Sequence, residues 1–343
     1  DEAVRLEFSI LDFRFWITGL LSPMQNFYGA MTLKIPFTKL AGTGNDFVLV
    51  DALRHRLNGL SSRWPAVARR LCARAQEDVD GLLVLEPSRR AEVRMRIFNP
   101  DGSEPSMCGN GIRCLAWHAH QTGTAPNRLT IETKAGIKRA WVLPKNRVRV
   151  DMGVPRLVRC VTWSPPIQGN METDVIDSGV PHLVVWVDDV NAVNVKKFGR
   201  QLRRHHRFGP RGVNVDFVQR VKLRTPRDPS LRGAAHRLRL EMRTYERGVE
   251  GETQACGTGA VAAAAEAMLI HTWCSLHTPR RASDAERYDV DVRVPGGALR
   301  VALSGTVRVH PDKVVFGHAF LEGPVKLLGR GTFTWDERAR TWP

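Results

Sequence analysis

Residues 242–269 decide the fold, and their sequence is MRTYERGVEGETQACGTGAVAAAAEAML. The stretch opens with strand-forming residues, continues as a polar, glycine-containing loop, and ends in a predicted helix that starts at Cys256-Gly-Thr-Gly259. From Ala260 to Ala265 this helix is small and apolar on every face. A helix without a polar stripe is buried on all sides, and small side chains let a sheet approach it closely. We therefore expect a central helix inside a curved sheet.

The same pattern occurs earlier in the chain. Met95-Arg-Ile-Phe98 precedes a polar loop and Cys108-Gly-Asn-Gly111, as Met242-Arg-Thr-Tyr245 precedes its own loop and Cys256-Gly-Thr-Gly259. The two cysteines are 148 positions apart (256 − 108). A strand, a loop and a Cys-Gly-x-Gly helix start that occur twice in one chain predict a duplicated domain.

Length and composition fit an ordinary globular protein. The 343 residues are 43% apolar and 25% charged, which is enough for two domains and excludes a disordered chain. Six cysteines are too few for a disulfide scaffold. The unusual value is the net charge of +16, of which residues 196–239, with 14 Lys+Arg and 2 Asp+Glu, carry +12 (14 − 2). We interpret this charge as a local, solvated basic surface.

Strands outnumber helices in the predicted order of elements. We expect helices near residues 61–76, 109–122 and 257–273, and a first strand at Thr32–Lys39. The other predicted strands are Arg94–Phe98, Leu129–Glu132, Val148–Asp151, His182–Val187, Val213–Gln219, Arg237–Tyr245, Tyr288–Val294 and Lys313–Phe320. This order differs from regular βαβ alternation and indicates an α+β fold in which antiparallel or mixed sheets wrap buried helices.

The two helix starts also predict chemistry. A cysteine at a helix N-terminus faces unpaired backbone N–H groups and the positive end of the helix dipole, which favour thiolate over thiol. A substrate carboxylate can dock on the same N–H groups. If the duplicated domains face each other, Cys108 and Cys256 flank one cleft. That arrangement suits removal of a proton from one face of a carbon and delivery of a proton to the other.

Two other roles for these cysteines were weighed. A disulfide between Cys108 and Cys256 is disfavoured in a reducing compartment. Zinc binding by Cys108, Cys114, His118 and His120 has a spacing that matches no structural zinc site, so we expect no metal. The remaining cysteines are predicted to be core residues, namely Cys72, Cys114, Cys160 and Cys274.

No stretch of the sequence reaches the 18 apolar residues of a membrane-spanning helix. The nearest run, Trp16 to Leu21, contains Gly19 and has no basic segment ahead of it, so we do not interpret it as a signal peptide. We expect a cytoplasmic protein without a membrane partner, and treat residues 1–30 as an extension of unclear role.

Five motifs in order resemble the diaminopimelate epimerase family. They are Phe37-Thr-Lys-Leu-Ala-Gly-Thr-Gly-Asn-Asp-Phe47, Asn99-Pro-Asp-Gly-Ser103 with Cys108-Gly-Asn-Gly111, Gly179-Val-Pro-His182, Gly212-Val-Asn-Val-Asp216, and Tyr245-Glu-Arg-Gly248 with Gly251-Glu-Thr-Gln-Ala-Cys-Gly-Thr-Gly259. The resemblance implies a cofactor-independent, homodimeric epimerase. It interconverts LL- and meso-diaminopimelate on the route to lysine and to peptidoglycan cross-links.

The resemblance also implies an architecture. We expect two pseudo-symmetric domains, each a curved, mostly antiparallel sheet around a central helix, with the active site in the cleft between them. Residues 31–151 plus 322–334 would form the domain with Cys108, and residues 152–321 the domain with Cys256. One cysteine acts as thiolate base and the other as thiol acid, and their roles exchange with the direction of reaction.

Further positions take family roles by resemblance. Arg247 offers a guanidinium for the distal carboxylate of the substrate, while Glu246 contacts substrate and, with His182, tunes the two cysteines electrostatically. Amide side chains hold the amino and carboxylate groups, and backbone N–H groups of both helix starts stabilise the α-carboxylate as it gains charge. The amides are Asn45, Asn99 and Asn214, and the backbone donors are Gly109, Asn110, Gly257 and Thr258.

The sequence departs from the family pattern at three places. Val180 stands where the family usually has an amide, the loop Arg247–Glu252 is one residue longer than its commonest form, and residues 225–236 form an insertion.

Two other functions were considered. One is a proline or hydroxyproline racemase of the same superfold, which predicts a small apolar pocket. The other is a basic nucleic-acid-binding protein, for which the sequence shows no zinc finger, RNA-binding signature or basic-aromatic platform. We prefer the epimerase, with diaminopimelate as small-molecule partner and no specific nucleic acid, because Asn99, Asn214, Glu246 and Arg247 suit a substrate with a second charged end.

Overall fold

The computed structural model describes residues 32–74, 79–162, 172–221, 235–275, 286–307 and 314–336. The chain divides into two compact units, residues 36–331 and residues 1–35 with 332–343. In the smaller unit the described residues are extended, and the rings of Phe333 and Trp335 lie 6.4 Å apart. Every site residue discussed below belongs to the larger unit.

The described residues contain eighteen strands and four α-helices. The helices are α1 (Trp64–Arg74), α2 (Gly109–Gln121), α3 (Val195–Arg203) and α4 (Gly257–Ser275). The strands of the first half are β1 (Thr32–Gly42), β2 (Asn45–Asp51), β3 (Gly81–Glu86), β4 (Val93–Phe98), β5 (Arg128–Thr133), β6 (Gly136–Leu143) and β7 (Arg147–Gly153). The others are β8 (Arg156–Thr162), β9 (Glu172–Asp177), β10 (Pro181–Trp186), β11 (Asn214–Val221), β12 (His236–Glu246), β13 (Gly251–Thr253), β14 (Glu286–Val294), β15 (Gly297–Val307), β16 (Val314–Phe316), β17 (Ala319–Pro324) and β18 (Lys326–Asp336).

The sheet repeats one pairing scheme. Successive neighbours from β1 to β7 pair antiparallel, parallel, antiparallel, parallel, antiparallel and antiparallel. The series β9, β10, β11, β12, β14, β15 and β17 pairs in the same order. Strand β17 also pairs antiparallel with β7, which joins the two series. The α+β fold with an internal repeat, mostly antiparallel, is therefore confirmed.

Each half wraps its sheet on one buried helix. From Ala260 to Ala265 every side chain of α4 is at most 1% exposed, as its uniformly apolar sequence predicts. Helix α2 is buried from Gly109 to Ala119. Both helices follow the strand and loop identified in the sequence repeat, so equivalent segments occupy equivalent places.

Helices α2 and α4 contact each other at their first residues, Gly109 and Gly257. A Cβ atom at Gly257 would lie 2.8 Å from Leu321 Cδ2 and 3.3 Å from the Cα of Gly109. A Cβ at Gly109 would lie 3.3 Å from the same Leu321 atom and 3.4 Å from the Cα of Gly257. Leu321 belongs to β17, the strand that joins the two halves. The absence of side chains at both positions therefore favours this close approach of the two helix ends.

Helix α3 was not predicted. Its buried residues Val195, Gly199 and Leu202 follow helical spacing, but the dense lysines and arginines between them indicated only a basic surface. Gly199 is required there because a Cβ would lie 2.4 Å from Tyr245 Cβ.

The predicted strand Lys313–Phe320 is wrong as a single element. Strand β16 ends at Phe316 and β17 begins at Ala319. Between them the N–H of Gly317 donates to Ser304 O at 2.6 Å, and a Cβ at Gly317 would lie 2.5 Å from Ser304 Oγ. The chain bends closely against β15, which only a glycine allows.

Some predicted features lie outside the described residues, and two predicted core cysteines lie within them. Residues 1–30, most of the insertion 225–236 and the side chains of Cys160 and Cys274 lie outside them. Cys114 is a core residue as expected, whereas Cys72 is only half-buried because it lies on the partly exposed helix α1.

Within the described ranges, no helix is both long and apolar enough to cross a membrane.

The glycine contact predicts the effect of a small substitution. We expect Gly257→Ala to destabilise the protein by about 1–3 kcal/mol, because the added methyl group overlaps Leu321. Urea unfolding measures the change. Gly329→Ala is the matched control, since a Cβ there meets no atom within 4 Å. Equal stability of both variants would contradict the close helix contact.

Candidate active site

Cys108 and Cys256 hold equivalent positions at the starts of α2 and α4. Cys108 is the N-cap of α2 in extended conformation, and its Sγ accepts the N–H of Gly111 at 3.4 Å. The Sγ of Cys256 accepts the N–H of Gly259, also at 3.4 Å. In each case the carbonyl of the cysteine accepts the N–H four residues ahead at 2.9 Å. The sequence repeat therefore gives two thiols with the same local geometry.

The two cysteines meet at one place in the structure. Each immediately precedes one of the two glycines in contact, Gly109 and Gly257. Both thiols are free, so the disulfide is not formed. The zinc alternative is also not realised: His118 contacts Asp51 at 3.3 Å and His120 contacts Ala125 O at 3.4 Å. Among the described residues, no three His, Cys, Asp or Glu side chains form a group that could hold a metal.

Burial opposes ionisation of the two thiols. It raises the pKa of Cys108, and it raises that of Cys256 well above the usual range. The Glu246 carboxylate raises both pKa values further, while the N–H groups of Gly111 and Gly259 lower them. The donors at the helix starts therefore favour the thiolate, and burial acts in the opposite direction.

Asn110 ties the start of α2 to the turn that follows β1. Its side-chain amide donates to Asn45 Oδ1 and, at 3.0 Å, to Ala255 O, the residue before Cys256. The predicted site residues Asn45 and Asn110 are thus in contact. Asn110, which follows Cys108 by two positions, also contacts the residue before Cys256.

Arg113 was missed by the sequence analysis. It is fully buried and donates to Gly109 O at 2.9 Å, Asn110 Oδ1 at 2.9 Å and Thr43 Oγ1 at 2.8 Å. No carboxylate pairs with it within the described ranges, and burial lowers its pKa to about 10. The sequence feature that could have indicated it is a single arginine among the mostly apolar residues of this helix. Its positive charge lowers the pKa of Cys108 and favours anions at this helix start.

His182 lies at the centre of the polar groups around Cys256. It is fully buried, its Nδ1 lies 2.7 Å from Asp216 Oδ2, and its Nε2 lies 2.9 Å from Thr258 Oγ1. Thr258 Oγ1 lies 3.4 Å from Cys256 Sγ. Asn214 also reaches His182 Nε2, at 3.3 Å. Asp216 was not singled out as a site residue, because a single acid in a strand pattern carries no local signal.

The loop after β12 brings two charged side chains to the same region. The N–H of Arg247 donates to Asn214 Oδ1 at 2.8 Å. Its guanidinium has no ion-pair partner in the described part of the chain, and burial together with Arg203 and Arg211 lowers its pKa. Burial raises the pKa of the Glu246 carboxyl, which accepts a bond from Thr253 Oγ1 at 2.7 Å.

The longer loop is fixed through Glu250. Its carboxylate pairs with Arg203 at 2.7 Å and Arg204 at 3.4 Å, and its carbonyl accepts the Tyr245 hydroxyl at 2.8 Å. The longer loop is therefore anchored through Glu250 to Arg203 and Arg204 at the C-terminal end of α3.

Two predicted features have more local roles. The side chain of Asn99 donates to Ser103 Oγ at 2.9 Å, so this hydrogen bond lies within its own loop and not at the cysteines. Val180 replaces an amide, but two residues earlier Ser178 Oγ donates to Thr258 O at 2.8 Å. The Val180 turn is thus still attached to the start of α4.

Comparison with known proteins decides the family. The family model described as diaminopimelate epimerase matches residues 37–158 and 175–316. The diaminopimelate epimerase of Moorella thermoacetica is 39% identical over 318 residues, covering 88% of this chain and 99% of the relative. That of Methanothrix thermoacetophila is 37% identical over 320 residues, covering 90% and 99%. The chain belongs to the diaminopimelate epimerase family.

Solved structures support the fold of this diaminopimelate epimerase family member. A phenazine biosynthesis protein of the PhzF family from Bacillus anthracis matches with a TM-score of 0.61 at 15% identity, covering 88% of this chain and 99% of that one. A probable proline racemase from Agrobacterium radiobacter K84 matches with a TM-score of 0.57 at 18% identity, covering 89% and 94%. At these identities the likeness shows the architecture alone.

The charge of Glu246 predicts how the thiols respond to its removal. In Glu246→Gln we expect iodoacetamide to alkylate Cys108 and Cys256 about threefold to tenfold faster over the pH range in which the carboxylate is ionised, because that charge raises both thiol pKa values. Peptide mass mapping over a pH series measures the rates. Glu252→Gln, on the same hairpin but paired with Arg243, is the control. Slower alkylation of both thiols in Glu246→Gln would contradict the electrostatic assignment.

Proposed function

We propose that this protein epimerises LL-diaminopimelate to meso-diaminopimelate, and back, with Cys108 and Cys256 as the two acid–base groups and without a cofactor. The observation that carries the proposal is the contact between Gly109 and Gly257, which brings two equivalent N-cap thiols to one place. This activity belongs to lysine and peptidoglycan-precursor biosynthesis. The enzyme class is isomerase.

Epimerisation requires two proton transfers, one at each face of the α-carbon, and each thiol carries out one of them. One cysteine, as thiolate, takes the α-proton from one face of the substrate carbon, and the other, as thiol, donates a proton to the opposite face. An amino-acid α-hydrogen is far less acidic than a thiol, so the negative charge that develops needs stabilisation. The backbone N–H groups of Gly109, Asn110, Gly257 and Thr258 are placed to provide it at the α-carboxylate. Burial of Cys256 and partial burial of Cys108 limit the access of competing water.

Substrate recognition follows from the polar groups on both sides of the helix contact. We assign Asn45, Asn214 and, by its motif alone, Asn99 to the amino and carboxylate groups of the reacting end. Arg247 is assigned to the distal carboxylate, because a guanidinium without an ion-pair partner in the described residues is free to bind one in a bidentate manner. Glu246 contacts the substrate and, with His182, adjusts the ionisation of the cysteines.

The alternatives have less support. A proline racemase shares the fold at 18% identity, but the half-buried Arg247 guanidinium suits a substrate with a second charged end rather than an apolar ring. Nucleic-acid binding would rely on the basic surface of α3, and no observation links that surface to a base or phosphate site.

The remaining features of the proposal rest on the family. We propose the domain boundaries 31–151 plus 322–334 and 152–321, a homodimer, and a cytoplasmic location. The repeated pairing of strands supports a division between β7, which ends the first series, and β9, which begins the second.

Removal of either thiol tests the two-base mechanism. We expect Cys108→Ala and Cys256→Ala each to lower kcat for epimerisation by about 100-fold or more, because one of the two proton transfers loses its group. Exchange of deuterium from D2O into LL-diaminopimelate, followed by NMR, measures both the transfer and the inversion. Cys72→Ala, a half-buried cysteine on α1, is the control. Full epimerase activity in either of the two variants would exclude the mechanism, and exchange into L-proline alone would favour the racemase.

The role of Arg247 predicts a change in substrate affinity. We expect Arg247→Met to raise KM for diaminopimelate by about tenfold to 100-fold, since a charge-assisted bond to the distal carboxylate is lost. Steady-state kinetics measures KM and kcat separately. Arg128→Met, on an exposed position of β5, is the matched control. An unchanged KM in Arg247→Met would remove this residue from the substrate site.

A further inference from the structure

Arg113 is a buried cation to which the activity proposed above assigns no role. It lies one turn into α2, is fully buried, and has no carboxylate partner among the described residues. Burial of a charge without a counter-charge is unfavourable, yet the structure makes room for it. A Cβ at Gly323 of β17 would lie 3.0 Å from Arg113 Nε and 3.1 Å from its Cζ.

The second half of the protein does without this charge. Position 113 of α2 corresponds to position 261 of α4, because each lies five residues after its cysteine (113 − 108 and 261 − 256). Val261 occupies that place and is buried. A central helix of this fold is therefore compatible with an apolar side chain here, so the fold alone does not account for Arg113.

The guanidinium of Arg113 joins the start of α2 to the turn at residues 43–45, between β1 and β2. One terminal nitrogen donates to Gly109 O at 2.9 Å. The other donates to Asn110 Oδ1 at 2.9 Å and to Thr43 Oγ1 at 2.8 Å. The N–H groups of a guanidinium have fixed directions in one plane, so these bonds determine where the turn lies relative to the helix start.

The same turn is strained and packs closely against the other half of the chain. Thr43 has a φ angle of 53°, which is unfavourable for a residue with a side chain. A Cβ at Gly296, in the turn between β14 and β15, would lie 2.4 Å from Thr43 O. A strained backbone persists only where neighbouring groups hold it, and the bond from Arg113 to Thr43 is one such restraint.

The hydrogen bonds that follow from Arg113 have a defined direction. A guanidinium can only donate, so Asn110 presents its oxygen to Arg113 and its amide nitrogen to Asn45 Oδ1 and Ala255 O. Asn45 therefore accepts with its oxygen, and its amide nitrogen has no partner among the described residues. That nitrogen can donate to a carboxylate, but it cannot accept from an ammonium group.

We propose that Arg113 is a positioning residue that holds the turn at residues 43–45 on the start of α2 and so directs the amide nitrogen of Asn45 to a carboxylate of the substrate. The inference rests on the proposed function and specifies which polar group of an amino acid Asn45 binds. Arg113 is fully buried and acts through Asn110 and Thr43. Its contribution is geometric, so a positive charge alone does not replace it.

A double-mutant cycle tests the link between Arg113 and Asn45. Isothermal titration calorimetry measures Kd for LL-diaminopimelate in a Cys256→Ala background, which prevents turnover. We expect Arg113→Met to raise Kd by about tenfold, because the turn loses a charge-assisted bond. In Asn45→Ala, we expect Arg113→Met to raise Kd by less than about threefold further, because its effect passes through Asn45. Val261→Ala, at the matching position of α4, is the control and should leave Kd unchanged.

Two further substitutions separate geometry from charge. Arg113→Lys keeps the positive charge but lacks the planar fork, and we expect it to raise Kd about tenfold, as Arg113→Met does. Asn45→Asp keeps the oxygen that accepts from Asn110 and replaces the free nitrogen by an acceptor. We expect this change to raise Kd by about tenfold to 100-fold, because it opposes a carboxylate.

A second pair of variants keeps the test valid if Arg113→Met does not fold. Thr43→Val removes the hydroxyl that Arg113 binds and keeps the branched shape, and we expect it to raise Kd by about fivefold. Thr43→Ser retains the hydroxyl and should stay within about twofold of the parent.

Hydrogen–deuterium exchange followed by mass spectrometry examines the turn without substrate. We expect peptides that span residues 40–48 to exchange about threefold to tenfold faster in Arg113→Met and Thr43→Val than in the parent, because the turn has lost a restraint. Val261→Ala should leave exchange of these peptides unchanged. A parent protein that does not bind diaminopimelate would contradict the proposed function, whereas the exchange data would still decide whether Arg113 holds the turn.

The outcomes are distinct. Weaker binding in Arg113→Met that is largely absent in the Asn45→Ala background, together with faster exchange at the turn, supports the proposal. Four results overturn it: an unchanged Kd or unchanged exchange in folded Arg113→Met, independent effects of Arg113→Met and Asn45→Ala, parent-like affinity in Arg113→Lys, or equal Kd values in Thr43→Val and Thr43→Ser. Tighter binding in Asn45→Asp would also overturn it, since this position would then bind the ammonium group.

Discussion

The contact between Gly109 and Gly257 is the constraint on which the rest of the structure depends. The starts of two helices meet at a distance that leaves little room for a side chain, with Leu321 packed against both. Because each helix is preceded by a cysteine, the same contact that packs the core also brings the segments that carry the thiols together. Fold and chemistry thus share one steric condition, which accounts for the first glycine of each Cys-Gly-x-Gly sequence.

Much of this could be predicted from the sequence. The apolar run Ala260–Ala265 implied a helix buried on every face, and the repeated strand, loop and helix start implied two equivalent halves. Both are local patterns whose physical cause lies within a few residues of the chain. Motifs predicted Asn45, Asn214, His182 and Arg247 as site residues. The structure bonds Asn214 to His182 and Arg247 and bonds Asn45 to Asn110 at the start of α2, whereas the side chain of Asn99 bonds within its own loop.

What could not be predicted depends on contacts between distant segments. Asp216 reaches His182 across 34 positions of sequence, and Arg113 reaches Thr43 across 70, so neither pairing leaves a local pattern. The N–H groups of the helix start, which favour the thiolate, are visible in the sequence, whereas the burial that opposes them arises only when the sheet closes around the site.

The junction of β17 with β7 has a consequence for symmetry. Two identical subunits related by a two-fold axis would be obliged to surround both sulfurs with the same atoms. Here the two halves belong to one continuous chain and one continuous sheet, so the residues around the two sulfurs can differ. A buried acid and imidazole on one side, and a lone buried arginine on the other, are differences that only a fused pair can accumulate.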